Sequence, residues 1–199
     1  MLVVTAEASE RNKGPILEVL RQEFAASRSV LEIGSGAGQH AVYFAAQLPQ
    51  LTWQPSEVAA LLPELAERIR LAGAPNLREP LALDVRAVPW PVAPVDAIFS
   101  ANTLHIMSWA EVEQLFAALP ALTTAGAKLV IYGPFNYHGQ FTSASNAAFD
   151  QSLRQRAPQM GIRDFSDVGR LAQSAGFVLL DDVAMPANNR CLVWQRTSR

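Results

Sequence analysis

Apolar positions along the chain follow two rhythms. Ile16, Leu17, Val19, Leu20 and Phe24 recur at helical spacing behind Gly14 and Pro15. Proline suits a first helical turn, so ILEVLRQEF reads as an amphipathic helix entered through the exposed charges of ERNK. SVLEIG is a short apolar run ending in glycine, AVYFAAQLP a helix that stops at Pro49, LTWQPSE a second strand, and AALLPELAERIRLAG a helix ended by Gly73. REPLALDV, VDAIFSAN and AKLVIYGPF are three further strand candidates, with the helix AEVEQLFAALPALT between the last two. Five strands separated mostly by helices predict an α/β fold: right-handed crossovers and a parallel sheet with helices on both faces.

A polar stretch from Asn136 to Asn146 breaks this rhythm ahead of helices at AAFDQSLRQRA and SDVGRLAQSAG. FVLLDDVAM and RCLVWQR, joined by PANN, predict a closing antiparallel hairpin. At 199 residues, half of them apolar, the chain suits one domain with a real core, and no repeat or long linker divides it.

Sixteen Lys and Arg against eighteen Asp and Glu, with no block of like charge, disfavour a nucleic-acid partner held through phosphates. Cys191 stands alone among Leu192, Val193 and Trp194, so it predicts a buried structural thiol. No Cys/His cluster has zinc-ligand spacing, and no metal is expected. The start, MLVVTAEASERNKG, resembles neither a signal peptide nor a membrane span, which predicts a soluble, cytoplasmic protein with no membrane partner.

The glycine turn of VLEIGSGAGQH, at the carboxyl end of the first strand candidate, is where an open α/β sheet binds its ligand. Three ligand classes suit a glycine turn. A dinucleotide fingerprint needs a third glycine three residues after Gly36, where Gln39 stands, and a P-loop needs a closing Gly-Lys-Ser/Thr, whereas the lysines are Lys13 and Lys128. Glu32 repels a pyrophosphate but attracts an α-ammonium, directly or through water, so the turn favours the methionine end of S-adenosylmethionine (SAM). Glu57, closing the next strand about twenty residues on, suits ribose hydroxyls. Asp84, at the end of LALDV, suits an adenine amino group.

With E-x-G-x-G-x-G at 32–38, Glu57, Asp84 and Asn102 after successive strands, the chain resembles class I SAM-dependent methyltransferases from Val30 to Gln195. The blocks ERNKGPILEVL, WQPSE, SANTLHIMSW and YGPFNYHGQFTSASNAAFDQSLR resemble, more narrowly, the small group that includes methyltransferase-like protein 26. The resemblance implies a Rossmann-like sheet of seven mostly parallel strands in a single domain, 1–199, with residues 1–26 as an N-terminal helix covering the cofactor edge. It implies a SAM pocket built from Glu32, Gly34, Ser35, Gly36, Gly38, Glu57, Asp84, Val85 and Asn102. Arg11, Asn12 and Lys13, ahead of the first helix, are placed to bind the SAM carboxylate or an acidic acceptor if that helix packs across the carboxyl edge of the sheet. An Asn/Asp-Pro-Pro-aromatic run, the mark of amino-methylating relatives, is replaced by Asn102-Thr103-Leu104-His105.

Methyl transfer from a sulfonium needs alignment and exclusion of water more than a nucleophile on the protein. His105, just past the fourth strand, is the candidate proton acceptor, and Tyr132 and Asn136 are candidates to meet the acceptor from YGPFNYHG, alongside Tyr137 and His138. GQFTSASN suits a lid over a small substrate. Trp53, Trp90 and Trp109 read as core residues, with Trp109 the one placed to stack on a planar ligand. Arg154, Arg156, Arg163 and Arg170, balanced by Asp150, Asp164 and Asp167, read as solvated faces. The expected activity is methylation of a small-molecule acceptor. Its rivals are a silent SAM-binding scaffold and a nicotinamide-dependent oxidoreductase. The second lacks a Tyr-x-x-x-Lys pair, since Tyr43, Tyr132 and Tyr137 are followed at that spacing by Gln47, Asn136 and Phe141.

Overall fold

Strand alternation sorts the apolar side chains onto two faces of one sheet. The computed structural model describes residues 7–197. It runs α1 (Glu7–Glu23), β1 (Ser29–Ile33), α2 (Gln39–Gln47), β2 (Thr52–Glu57), α3 (Leu62–Ala72), β3 (Leu81–Ala82), β4 (Val95–Ala101), α4 (Trp109–Leu122) and β5 (Thr123–Gly133). There follow β6 (Phe135–Asn136), α5 (Ala144–Arg156), β7 (Arg163–Asp164), α6 (Phe165–Ser174), β8 (Phe177–Met185) and β9 (Asn189–Arg196). Seven strands form one sheet in the order β3-β2-β1-β4-β5-β9-β8. All pairs from β3 to β5 are parallel, and β9 lies antiparallel between β5 and β8. The α/β sheet and its closing hairpin are those the sequence predicts.

Leu31, Ile33, Ile98, Leu129, Ile131, Leu192 and Trp194 share one core with Val112, Leu115, Phe116 and Leu119 of α4 and Val168 of α6. Their sequence neighbours Val30, Phe99, Val130, Tyr132, Cys191 and Val193 point to the other face, against Leu17 and Leu20 of α1, Phe44 of α2 and Leu65 and Ile69 of α3. Each fully buried Leu, Ile or Phe stabilises by about 1.5–3 kcal/mol. Cys191 is 0% exposed, and burial pushes its thiol up to about 12, so it is an inert packing residue as expected.

Four elements depart from expectation. α1 begins at Glu7, so Arg11, Asn12 and Lys13 lie within the helix, and Pro15 sits in its interior rather than its first turn. The missing N–H there forfeits a bond to the Arg11 carbonyl, a cost that burial of Ile16, Leu17 and Leu20 offsets. Residues 1–6 of the expected N-terminal segment lie outside the described residues. β3 shrinks to two residues pairing with Ser56 and Glu57, because Pro80 has no donor for the ladder and Asp84 turns onto Arg86. β6 and β7 form a separate two-stranded parallel ladder, too short to leave a period in the sequence.

Candidate functional site

β1 and β4 are neighbours, but α2 after β1 packs on one face of the sheet and α4 after β4 on the other. Strand order therefore reverses between these two parallel strands, and their carboxyl ends open a crevice. A cavity of about 780 Å3 occupies it. That size suits a nucleoside-bearing small molecule. Gly34, Ser35, Gly36, Glu57, Asp84, Val85 and Asn102 all line it.

Each glycine of the turn has its own reason. Gly34 has φ +74°, and a Cβ there would meet Thr103 Oγ1 at 2.5 Å. Gly36 has φ +55° with nothing within 4 Å of a Cβ position, so its missing side chain leaves open space on the cavity wall. Gly38 does not line the cavity: it caps α2, and a Cβ would strike Leu65 Cδ1 at 2.6 Å, which makes it a packing glycine. Ser35 stitches the turn to β2, its N–H donating to the Ser56 carbonyl at 3.0 Å and its Oγ accepting from the Ser56 N–H at 3.2 Å. The Ile33 carbonyl is bonded by the hydroxyls of Ser100 (2.9 Å) and Thr103 (3.4 Å). Hydroxyls from β4 and the loop that follows it thus hold the end of β1.

The three acids have different fates. Glu57 accepts from Gly36 N–H and Val58 N–H, both at 2.8 Å, and borders the cavity. Glu32 is 1% exposed and off the cavity wall, accepting from the Trp53 indole at 2.8 Å. Its burial pushes the carboxyl up to about 7, against the hydrogen bonds of Trp53 and Ser35 that favour the charged form. Asp84 takes a bidentate Arg86 guanidinium, with Nη2 at 2.6 Å, and those hydrogen bonds hold it down at about 2. Arg86 lies 3.8 Å from Glu111 as well.

The residues expected to meet an acceptor lie behind the wall rather than on it. Asn102 lines the cavity with φ +56°, its N–H donating to the Tyr132 carbonyl at 2.9 Å. His105, Tyr132 and Asn136 do not line it. His105 is buried edge-on against Phe149, and desolvation, with Arg163 and Arg156 nearby, lowers its imidazole to about 4. At neutral pH it is therefore an uncharged hydrogen-bonding group and a weak proton acceptor. Tyr132 is buried at 3% exposure, and that burial raises its hydroxyl above the ordinary tyrosine range, with Asn12 and Asn189 beside it pulling the other way. Asn136 lies in β6, its Oδ1 buried without a partner. Tyr137 donates to Asp182 at 2.7 Å and stacks on Phe165, tying the loop to the closing hairpin.

Arg11 is exposed and paired with Glu7 at 3.3 Å, away from the cavity; Ser9 is the α1 residue that reaches it. The proposed lid segment is anchored: Ser143 caps α5, and the Asn146 amide donates to the Asn188 carbonyl at 3.1 Å. Trp53 and Trp90 are buried, and Trp109 packs against the core instead of the cavity. Arg163 is no solvated arginine. Its guanidinium donates to the carbonyls of Leu104 (3.0 Å) and Gln159 (3.1 Å) and to that of Met107. It thereby fixes the loop whose Ile106 and Met107 face the cavity.

Ser9, His40, Arg86, Thr103 and Glu111 line the cavity without having been singled out by motif. Thr103 and His40 were within reach, since they stand beside Asn102 and just after the third glycine. Among the described lining residues, the carboxylates of Glu57, Glu64, Asp84 and Glu111 face one guanidinium, that of Arg86. The loop amide of Gly36, which a phosphate would need, is already given to Glu57. The donor set therefore fits a ligand that offers hydroxyls, amines or positive charge better than one carrying phosphates.

A family model described as "Protein of unknown function (DUF938)" matches residues 4–196. Among solved structures, the O-methyltransferase family 2 protein from Planctomyces limnophilus in complex with apigenin is similar with TM-score 0.84 at 18% identity, over 96% of this chain and 58% of that one. An O-methyltransferase family protein from Burkholderia thailandensis aligns with TM-score 0.83 at 17% identity, over 96% and 58%. Human N-acetylserotonin methyltransferase in complex with SAM aligns with TM-score 0.74 at 14% identity, over 96% and 58%. The chain thus spans somewhat over half the length of these structures, and at such identities the likeness is one of fold.

Proposed function

The chain belongs to the DUF938 family of proteins of unknown function, and we propose that it is a SAM-dependent methyltransferase acting on a small-molecule acceptor. The observation that carries this reading is the acid-fringed cavity at the β1/β4 switch point, with Gly36 open to it and Glu57 closing its loop. Neighbours of the same fold whose names give a methyltransferase, one in complex with SAM and one with apigenin, support it. The narrower likeness to the group that includes methyltransferase-like protein 26 rests on the sequence blocks and is part of the same proposal.

When bound, SAM supplies an electrophilic methyl group for in-line displacement. Glu57 would hold ribose hydroxyls with the lone pairs its two backbone contacts leave over. Asp84 would accept from the adenine amino group once it shares or releases Arg86, beside the apolar wall of Val85. Gly34, Ser35 and Asn102 shape the floor, and Ile106 and Met107 exclude water on the acceptor side. His105, Tyr132 and Asn136 act from behind that wall, as neutral groups orienting the ends of β4 and β5. Arg11, paired with Glu7 away from the cavity, would have to leave that partner and swing toward the site to meet the cofactor's carboxylate. No covalent bond to the protein is needed.

Glu57→Ala tests the assignment. Lost hydrogen bonds to a charged group predict a SAM affinity weaker by about 1–3 kcal/mol, measured by calorimetric titration. Unchanged affinity in a folded variant would remove Glu57 from the site.

A further inference from the structure

Glu32 was the carboxylate expected to meet an α-ammonium group, yet it is sealed beneath the turn by Trp53 and touches no part of the cavity. The Ile33 carbonyl at the end of β1 is likewise taken, by Ser100 and Thr103. An ammonium at the glycine-loop end of the cavity therefore needs another acceptor, and His40 is in place to be it.

His40 is the second residue of α2 and lines the cavity beside Ser9, Gly36 and Ala37. Its Nε2 lies 2.7 Å from Asn12 Oδ1, and an amide oxygen only accepts, so Nε2 carries the proton. Nδ1 then keeps a lone pair. Among the described residues it has no hydrogen-bond partner, and it is not among the buried atoms sealed without one, so it opens on accessible space. The ring cannot turn away easily: it stacks on Phe44 (5.3 Å, 11°) and meets Phe99 edge-on (6.2 Å, 80°). Asn12 is itself buried, 6% exposed, with the Tyr132 hydroxyl beside it. Desolvation lowers the imidazole to about 4, which keeps it uncharged at neutral pH and spares a cationic ligand repulsion from an imidazolium.

We propose that His40, oriented by Asn12, accepts a hydrogen bond from the α-ammonium of the amino-acid end of SAM through Nδ1. This rests on the SAM reading above. It makes His40 a cofactor-binding residue and Asn12 its positioning residue, and it gives α1 a specific part in the site.

The test compares two variants that split the ring's functions. Asn at position 40 puts an acceptor oxygen near the place of Nδ1 but cannot reach Asn12. Gln keeps a donor toward Asn12 but no acceptor at Nδ1. Both lose the stacking alike, and the variant that keeps the Asn12 contact is the one without the lone pair, so weaker binding in H40Q than in H40N points to Nδ1 and not to the Asn12 contact. Dissociation constants are measured by calorimetry for SAM, S-adenosylhomocysteine and 5′-methylthioadenosine, which lacks the amino-acid end, with thermal melting to establish folding. H40Q should weaken the first two ligands about tenfold and leave 5′-methylthioadenosine within about twofold. H40N should recover most of the loss. Equal weakening of all three ligands, wild-type affinity in H40Q, or no recovery in H40N would overturn the assignment. Failure of the wild-type protein to bind any of the three would instead overturn the SAM reading itself.

Discussion

Gly34→Ala is expected to destabilise the protein by roughly 3 kcal/mol, whereas Gly36→Ala costs only about 1 kcal/mol and instead blocks the cavity. At Gly34 two penalties add. An L-residue at φ +74° costs roughly 1–2 kcal/mol. The new Cβ also meets Thr103 Oγ1 at 2.5 Å, Cγ2 at 2.7 Å and Cβ at 3.2 Å, an overpacking worth about 1–3 kcal/mol. Thr103 cannot swing aside cheaply, because its hydroxyl bonds the carbonyls of Ile33 and Ala101. At Gly36 the backbone strain is similar, but nothing lies within 4 Å of the new methyl, which projects into the cavity. Urea unfolding should show, at unchanged slope, a midpoint lowered much more for Gly34→Ala than for Gly36→Ala. SAM affinity should fall at least about tenfold in the latter, since the methyl takes space that the cofactor would fill. Equal stability of the two variants would contradict the packing role given to Thr103.

The second large effect is that Glu32→Gln makes the protein more stable at alkaline pH. Burial raises the Glu32 carboxyl in the folded state from 4.5 to about 7. Between those values the native state holds a proton that the unfolded chain has released, so stability from this group is complete below about 4.5 and is lost as pH rises through about 7. The loss amounts to about 3 kcal/mol. His40 and His105, both lowered from 6.5 to about 4, run the opposite way: their contributions are lost as pH falls from about 6.5 through 4. Taking the difference between variant and wild type cancels the histidines. A glutamine can keep accepting from the Trp53 indole and carries no charge. The stability difference, followed by denaturant unfolding, should be near zero at pH 4.5 and grow to about 3 kcal/mol in favour of Gln by pH 8. A flat difference would mean that Glu32 is not desolvated as its place under Trp53 implies.

These two residues also show what the sequence made legible. Gly34, Gly36 and Glu57 reach the cavity because their places are set by distance from a strand end, and the apolar run of SVLEI and the short strand pattern of TWQPSE announce those ends. Glu32 misses the cavity for the same reason. It alternates with Leu31 and Ile33 and so shares the face of Val30, where Trp53 of β2 covers it. Tyr132 repeats the case, sharing the interior face of Val130 instead of rising over the end of β5. Motif position alone reads these residues as ligands; strand parity corrects it.

Other features had no local signal. The first turns of α1 are polar, so its start before Pro15 is fixed by the packing of the later turns and by the partnership of Asn12 with His40. That partnership joins residues 28 apart in sequence, and no spacing rule foretells it. Arg163 reads as one more surface arginine until the carbonyls of the 104–107 loop are brought to it. The Asp84–Arg86 pair, two residues apart, was in view as residues but not as a contact, because it depends on β3 ending at Ala82.

Calorimetric titration of the wild-type protein with SAM, and in parallel with NAD, tests the central claim most directly. An acid-lined cavity whose loop amide is committed to Glu57 predicts micromolar SAM binding and no measurable binding of NAD. Binding of NAD in place of SAM would contradict the account, and so would a cavity that takes neither.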